Sequence, residues 1–259
     1  MRFKINYYLI KLQYLGFRYH GWQYQPGLKT IEGQIRKTLR FVLPDIRAKV
    51  IASGRTDAMV SVEQTYIELF VYEADLPEDF FENFNANLPP DIRALSIERT
   101  DSKFNVITQP KIKEYIYVFS KDEKFHPFCA PLMIQLPQEI DLESMKVGAR
   151  LFEGKHDFYS YTFRPKPTTD TNGEIETCEI VKNDLYQANF FPDESYLLRV
   201  RGKGFKRHQI RLMMGALIDL GLGKIDLDFL KNTLDGSKKI KLEHIAQASG
   251  LLLRSVELK

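Results

Sequence analysis

The chain has 259 residues, 44% of them hydrophobic, and can therefore bury the core of one large domain or of two domains of about 110 to 150 residues each. Its 37 Lys and Arg residues nearly balance its 34 Asp and Glu residues, so the net charge of +3 does not by itself indicate nucleic-acid binding, and the local distribution of charge matters more. The apolar runs are much shorter than a membrane span, which predicts a cytoplasmic protein that does not bind membranes.

The first half of the chain alternates strand and helix patterns. A helix is predicted after Thr30 because apolar residues recur every three or four positions until Pro44. The predicted elements are a strand at 8–14, a helix at 31–42, strands at 49–52 and 65–72, a helix that begins near Pro77, and a strand at 91–98. This order is the split βαβ pattern, which is typical of ferredoxin-like domains and of many RNA-binding sheets.

The second half repeats this order loosely. A boundary is predicted where Gln109-Pro110 interrupts the pattern, which gives domains 1–108 and 109–259. Strands are predicted around Tyr115 and at 196–201, and helices at 142–152 and 210–220, with Gly221 placed to cap the second helix. We expect an α+β fold in which two ferredoxin-like (RRM-like) halves share a central, mostly antiparallel sheet and the site lies in a basic cleft between them.

The polar pentapeptide Ser53-Gly-Arg-Thr-Asp57 lies between two predicted strands. Gly54 allows a close turn, Arg55 can bind phosphate or carboxylate, and Asp57 can act as a nucleophile or a base. The same residue types also form ordinary turns and caps, so the pattern alone leaves both interpretations open.

The run Gly54-Arg-Thr-Asp57 resembles the catalytic motif of the pseudouridine synthases of the tRNA pseudouridine synthase A type. Further stretches match the same family in the same order, at 14–23, 85–92, 113–117, 154–160, 204–215 and 248–253. The resemblance therefore covers nearly the whole chain. It implies a homodimeric enzyme that isomerises uridine to pseudouridine in the tRNA anticodon arm, at positions 38 to 40, with Asp57 as the nucleophile.

The resemblance also implies the neighbours of Asp57 in the base-binding pocket. Arg211 is expected to pair with its carboxylate, and Arg55 to help hold the flipped nucleotide out of its helix. Tyr115 is expected to stack on the target base, and Leu251 to line the same pocket. The alternative for Arg211 is a helix-surface position, which its apolar neighbours Ile210, Leu212 and Met213 disfavour. The alternative for Tyr115 and Leu251 is a position in the core.

A local basic strip is the clearest sign of nucleic-acid binding. Residues 199–211 contain six Lys or Arg residues and no acidic one, together with glycines and the start of a helix. The residues predicted to bind RNA are Arg199, Arg201, Lys203, Lys206 and Arg207. A solvated charged face is the alternative, although such faces usually mix both signs.

No cofactor or metal is expected. The isomerisation needs no redox partner, and Cys129 and Cys178 form neither a metal-ligand pattern nor a predicted disulfide. Rival classes are a synthase that acts on ribosomal RNA, a non-catalytic RNA-binding or folding protein on the same scaffold, and a retaining glycosidase. The glycosidase would need a second carboxylate about 5 Å from the first, and no paired acidic motif stands out.

The chain departs from the family motifs at four positions, all in its first half. Leu15 replaces Asp, Met59 replaces Gly, Ser61 replaces His and Ile107 replaces Arg. None of these changes removes the nucleophile or the stacking tyrosine. We expect them to alter the positioning of the RNA and the rate rather than the type of reaction.

Overall fold

A computed structural model of the chain describes residues 4–121, 124–236 and 238–259, which form two compact units. Unit 1 contains the residues as far as Pro110 together with Leu253–Lys259, and unit 2 is Lys111–Leu252. The described residues form ten strands and five α-helices, which confirms the predicted α+β class. The sequence prediction placed the last residues in the second domain, whereas Leu253–Lys259 pack with unit 1.

The helices and strands follow one another in this order: β1 (Ile5–Tyr14), α1 (Ile31–Val42), β2 (Ala48–Ala52), β3 (Ser61–Tyr72), α2 (Phe80–Asn87), β4 (Ile92–Thr100), β5 (Lys111–Ser120), β6 (Ile134–Gln135), α3 (Leu142–Arg150), β7 (Gly154–Asp157), β8 (Asn172–Lys182), β9 (Tyr196–Gly202), α4 (Gln209–Gly221), α5 (Leu227–Asn232) and β10 (Leu251–Leu258). Short 3₁₀ helices span Gly16–Arg18 and Pro127–Cys129.

In unit 1 the strand β1 lies between β3 and β4 and pairs with both in antiparallel register. The strand β2 also pairs antiparallel with β3, so the loop that carries Asp57 connects two paired strands. Helix α1 begins at the predicted residue, because the Thr30 Oγ1 atom accepts a hydrogen bond from Gly33 N at 3.2 Å. Ile31 and Ile35 are fully buried on its inner face.

In unit 2 the strand order is β5-β9-β8-β7, and every pairing along this path is antiparallel. The short strand β6 adds a parallel pairing to β5. Helix α4 packs against α3 and is buried along most of its length, as its nearly continuous apolar sequence predicts.

The prediction that Gly221 caps α4 is wrong. Gly221 is the last residue of the helix, and a Cβ atom there would lie 2.7 Å from the Ile140 side chain and 2.8 Å from that of Met145. Its missing side chain therefore allows close packing, and the left-handed turn is made by Gly223, whose φ is 69°. Within the described residues, no helix has the length and apolar character needed to cross a membrane.

Candidate active site

Asp57 lies half-buried in the loop between β2 and β3. Hydrogen bonds hold Thr56 before it, and the Met59 N–H after it donates to Tyr19 O at 3.0 Å. The Tyr14 hydroxyl bonds to Thr56 Oγ1 at 2.8 Å, and Trp22 N donates to Thr56 O at 3.1 Å. A Cβ atom on Gly21, whose φ is 84°, would lie 2.8 Å from Thr56 O, so only glycine permits this approach. The main chain therefore presents Asp57 in a defined position.

Arg55 is exposed in the same loop and is oriented from helix α1. Its Nη1 atom donates to Gln23 Oε1 at 3.3 Å, and Gln23 Nε2 donates to Glu32 Oε2 at 2.9 Å. Glu32 is only 5% exposed and also accepts hydrogen bonds from Tyr24 N and the Arg36 guanidinium. Glu32 cannot be recognised from the sequence as part of this site, because nothing in the local sequence links this helix residue to the loop at Arg55.

Three of the four departures from the family motifs lie at or beside the Asp57 loop. Ser61 is buried, and its Oγ atom accepts a hydrogen bond from Gly16 N at 3.0 Å. Met59 has a left-handed backbone, with φ of 66°, and its side chain is partly exposed. Leu15 is half-buried and donates its main-chain N–H to Asp91 O at 2.9 Å.

The fourth departure, Ile107, is 57% exposed on the segment that follows β4. The neighbouring Val106 N–H donates to the Oε2 atom of buried Glu68 at 3.0 Å, which ties this segment to β3. Burial raises the pKa of the Glu68 carboxyl, and the hydrogen bond from Val106 opposes that rise. The segment is therefore anchored to β3 while the apolar side chain of Ile107 remains exposed.

Tyr115 lies half-buried on β5 in unit 2, and its ring packs edge-to-face with that of Phe205, with the ring centres 5.2 Å apart. Tyr117, two residues further, is fully buried and donates its hydroxyl to Gln247 O. Lys113 points to the same side of the strand as Tyr115. Burial and the charge of Lys111 lower the pKa of Lys113 to about 8. The surroundings of Tyr115 are thus aromatic and cationic.

Arg211 is half-buried on α4, where its Nε atom donates to Ala246 O at 2.7 Å. The Ala246 N–H donates back to Arg211 O at 3.1 Å, so two hydrogen bonds hold the segment before β10 to this helix. Leu251 is 6% exposed at the start of β10. The fold thus places Arg55 and Asp57 in one loop of unit 1, and Tyr115, Arg211 and Leu251 in unit 2. The pairing of Asp57 with Arg211 and the shared pocket stay predictions.

Neighbouring carboxylates partly neutralise the predicted basic strip. Lys203 Nζ lies 2.9 Å from Glu174 Oε2, and Arg201 Nε lies 3.2 Å from Glu176 Oε2. Arg199 likewise pairs with Asp184. The strip itself has no acidic residue, but β8 pairs with β9 and brings Glu174 and Glu176 beside it. The hydrogen bond and charge of Lys203 lower the pKa of Glu174 accordingly.

The remaining members of the strip have other surroundings. The Arg207 guanidinium lies 5.1 Å from the centre of the Phe163 ring. Lys206 lines an open depression of about 950 Å³ with Lys155, Lys203 and Phe205, whose walls also include Asp157 and Glu174. Binding of RNA by these residues stays a prediction.

No group of three or more His, Cys, Asp or Glu residues in the described part of the chain is arranged to hold a metal ion. Cys129 and Cys178 are both buried and free, and burial raises the pKa of each thiol. These cysteines therefore fit core positions rather than a reactive or metal-binding role.

Comparisons with known proteins point to one family. A family model described as tRNA pseudouridine synthase matches residues 149–257. The chain is 30% identical over 265 residues to tRNA pseudouridine synthase A 2 of Desulfotalea psychrophila, which covers 98% of this chain and 99% of that one. It is 30% identical over 252 residues to tRNA pseudouridine synthase A of Aquifex aeolicus, covering 97% and 99%. For tRNA pseudouridine synthase A 2 of Bacillus cereus the identity is 28% over 252 residues, covering 96% and 98%.

Proposed function

Since this chain belongs to the tRNA pseudouridine synthase A family, we propose that it isomerises uridine to pseudouridine in tRNA with Asp57 as the nucleophile. The single observation that supports this role best is the fixed loop at Asp57. Hydrogen bonds from Tyr14 and Trp22 hold the preceding residue, and the half-buried carboxylate lies in the same loop as Arg55. A carboxylate on a rigid loop is what attack on a single carbon atom requires.

The reaction balances without a cofactor. The bond between N1 of uracil and C1′ of the ribose breaks, the base turns, and a bond forms between C5 and the same C1′. The proton on C5 leaves and N1 gains one, so substrate and product are isomers and nothing is oxidised or reduced. The carboxylate adds to C6 of the base, adds to C1′ of the sugar, or promotes a glycal route, and these three routes stay open.

The other proposed site residues act on the base and its backbone. The half-buried ring of Tyr115 offers a π-face on which the target base can stack, which is worth about 1 to 3 kcal/mol per base. Arg55 is held by a hydrogen bond to Gln23 and can contact the flipped nucleotide and help to hold it out of its helix. Arg211 supplies the cation that keeps Asp57 ionised, and Leu251 the apolar wall.

The proposed substrate is the anticodon arm of tRNA, at positions 38 to 40. Family membership supports tRNA as the class of substrate, and the motif resemblance supports the position within it. The alternatives to this proposal are a synthase that acts on ribosomal RNA and a non-catalytic RNA-binding protein. The homodimer stays a prediction of the resemblance, and the cytoplasmic location stays a prediction from the short apolar runs.

The test of the nucleophile is Asp57→Asn, which keeps the size of the side chain but cannot add to carbon. We expect release of tritium from 5-tritiated uridine in tRNA to fall to background, while the Kd for tRNA changes less than about twofold, because phosphate contacts elsewhere carry affinity. The matched control is Asp45→Asn, an exposed carboxylate in the same unit, which should leave turnover unchanged. Turnover that persists in the Asp57 variant would refute the assignment. A wild type that binds tRNA without releasing tritium would favour the non-catalytic alternative.

A further inference from the structure

Lys113 carries an unbalanced charge next to Tyr115, the residue predicted to stack on the target base. It is half-buried on β5, and among the described residues its Nζ atom forms neither a hydrogen bond nor an ion pair. Burial and the charge of Lys111 lower the pKa of Lys113 to about 8, because an unpaired cation in such a place is unfavourable. Nζ is not among the unpartnered polar atoms that are buried completely, so a ligand can reach it.

The strand places Lys113 and Tyr115 on one face. Side chains two residues apart point to the same side of a strand, and their Cα atoms lie about 6 to 7 Å apart. The residue of β9 opposite Lys113 is Gly202, which has no side chain that could pair with the ammonium. The four-carbon stem of Lys113 is long and flexible enough to bring the ammonium to the edge of a base stacked on Tyr115.

The ring of Phe205 completes this face. A Cβ atom on Gly202 would lie 2.8 Å from Glu174 O and 3.3 Å from Phe205 Cζ, so the tip of the ring occupies the place where a side chain would face Lys113. The same ring packs edge-to-face with Tyr115, and in this arrangement it covers at most one face of the tyrosine. An apolar neighbour cannot balance the charge of Lys113, and it strengthens the electrostatic interactions of the ammonium by excluding water.

The proposed reaction places negative charge on the uracil ring by every route. When the bond between N1 and C1′ breaks, its electron pair stays with N1 and is delocalised onto O2 and O4. When the carboxylate adds to C6 first, the charge moves through C5 and C4 onto O4. A cation beside a carbonyl oxygen therefore interacts more strongly with the transition state than with the neutral substrate, which is the requirement for catalysis.

We propose that the Lys113 ammonium donates a hydrogen bond to a carbonyl oxygen of the target uracil and stabilises the negative charge that the base acquires during the reaction. This inference rests on the proposed function and on Tyr115 as the stacking residue. Lys113 keeps its proton throughout, so the isomerisation stays balanced as written above. A phosphate oxygen is the other acceptor of the same chemistry, and the second test below separates the two.

The first test is Lys113→Met, which keeps the apolar stem and removes the charge. We expect kcat for tritium release from tRNA to fall about 100- to 1,000-fold, the usual effect of losing one such donor, while KM stays within about twofold because phosphate contacts elsewhere carry affinity. The melting temperature should rise, since an apolar side chain replaces an unpaired, half-buried cation. A residue with only a structural role would lose turnover and stability together.

The second test replaces a carbonyl oxygen of the target uridine with sulfur, a weaker acceptor, as 2-thiouridine or 4-thiouridine. One of the two replacements should lower kcat/KM at least about tenfold more in the wild type than in Lys113→Met, because only the wild type has the hydrogen bond to lose. Equal effects of sulfur in the two proteins would overturn the inference. The ammonium would then contact a phosphate, and Lys113→Met would lower the salt slope of tRNA binding by about 0.7 to 0.9 instead.

The matched control is Lys182→Met, which removes an exposed lysine at the end of β8 and should leave turnover unchanged. Unchanged turnover in Lys113→Met, beside an active wild type, would refute only this inference. Lost turnover together with a lower melting temperature would also overturn it, because Lys113 would then serve the fold. A wild type that releases no tritium would refute the proposed function, and this inference with it.

Discussion

Met59 holds a left-handed backbone, with φ of 66°, two residues after Asp57. A side chain in this conformation costs about 1 to 2 kcal/mol relative to glycine, which is the residue that the family motif has here. We predict that Met59→Gly raises the free energy of unfolding by about 0.5 to 1 kcal/mol, since part of the relieved strain is offset by the greater freedom of glycine in the unfolded chain. Urea denaturation of the two proteins measures the difference.

Met59→Ala is the control for this prediction, because alanine removes the thioether but keeps the Cβ atom that causes the strain. Met59 is 36% exposed, so both variants lose the buried area of the atoms beyond Cβ, and the difference between them isolates the strain that the Cβ atom causes. Met59→Ala should therefore not raise the free energy of unfolding. Equal stabilisation by alanine and glycine would show that the methionine side chain, rather than its backbone, is unfavourable at this position.

Single residues of the site differ in how well sequence alone predicts them. Arg55 and Asp57 are neighbours in one motif, so one short pattern identifies both. Glu32 acts through Gln23, and only the folded chain reveals that contact.

At the level of elements, the pairing of β8 with β9 alters the charge of the basic strip. The carboxylate of Glu174 already balances Lys203, whereas Arg207 lies over an aromatic ring. We predict that Arg207→Gln lowers the salt slope of tRNA binding by about 0.7 to 0.9, the value for one phosphate contact, and that Lys203→Gln lowers it by less than half as much. The measurement is the Kd for tRNA at several NaCl concentrations.

The same ion pair provides a gain-of-affinity variant. Glu174→Gln leaves Lys203 unbalanced, so it should tighten tRNA binding, most strongly at low salt. Glu143→Gln is matched to it, because Glu143 is an exposed carboxylate that pairs at 2.7 Å with Lys146 of α3, a residue outside the strip. An increase in tRNA affinity of the same size in both Glu→Gln variants would reflect only the change in net charge. A larger decrease of the salt slope in Lys203→Gln than in Arg207→Gln would contradict the role assigned to Glu174.

Periodicity predicts the elements whose burial follows one simple pattern. The strand β1 and the helices α1 and α4 were found because one face, or nearly the whole surface, is apolar. The strand β8 and the short helix α5 were missed. Polar residues alternate along β8 beside the charges of β9, and α5 has only six residues. A glycine at a helix end serves either a turn or close packing, and at Gly221 only the neighbours Ile140 and Met145, which are distant in sequence, distinguish the two.

At the scale of the whole molecule, the end of the chain returns to the first unit. The Lys259 N–H donates to Pro110 O at 3.0 Å, and Gln109 Nε2 donates to Lys259 O at 2.6 Å. A prediction from sequence divides a chain at one point, here beside Gln109-Pro110, and cannot anticipate that a last strand belongs with the first. Unit 1, which carries Asp57, is thus completed by residues that lie 143 or more positions beyond its main segment, from 110 to 253.

The departures from the family motifs all lie in unit 1, at Leu15, Met59, Ser61 and Ile107, whereas Tyr115 and Arg211 of unit 2 are retained. A charged contact with RNA is worth about 1.5 to 3 kcal/mol if it is well made, so losing one can change which uridine is presented without changing the chemistry. We predict an active synthase with looser site selection. Deletion of the gene should remove pseudouridine at positions 38 to 40 of tRNA. Replacement Ile107→Arg should lower KM for tRNA and narrow the set of modified positions.

The control for Ile107→Arg is Leu95→Arg, which adds the same charge at an exposed residue of β4. If deletion of the gene removed pseudouridine only from ribosomal RNA, tRNA would not be the substrate, but the protein would still be a pseudouridine synthase. If the two arginine variants had equal effects on KM and on the modified positions, the added charge alone would explain both effects.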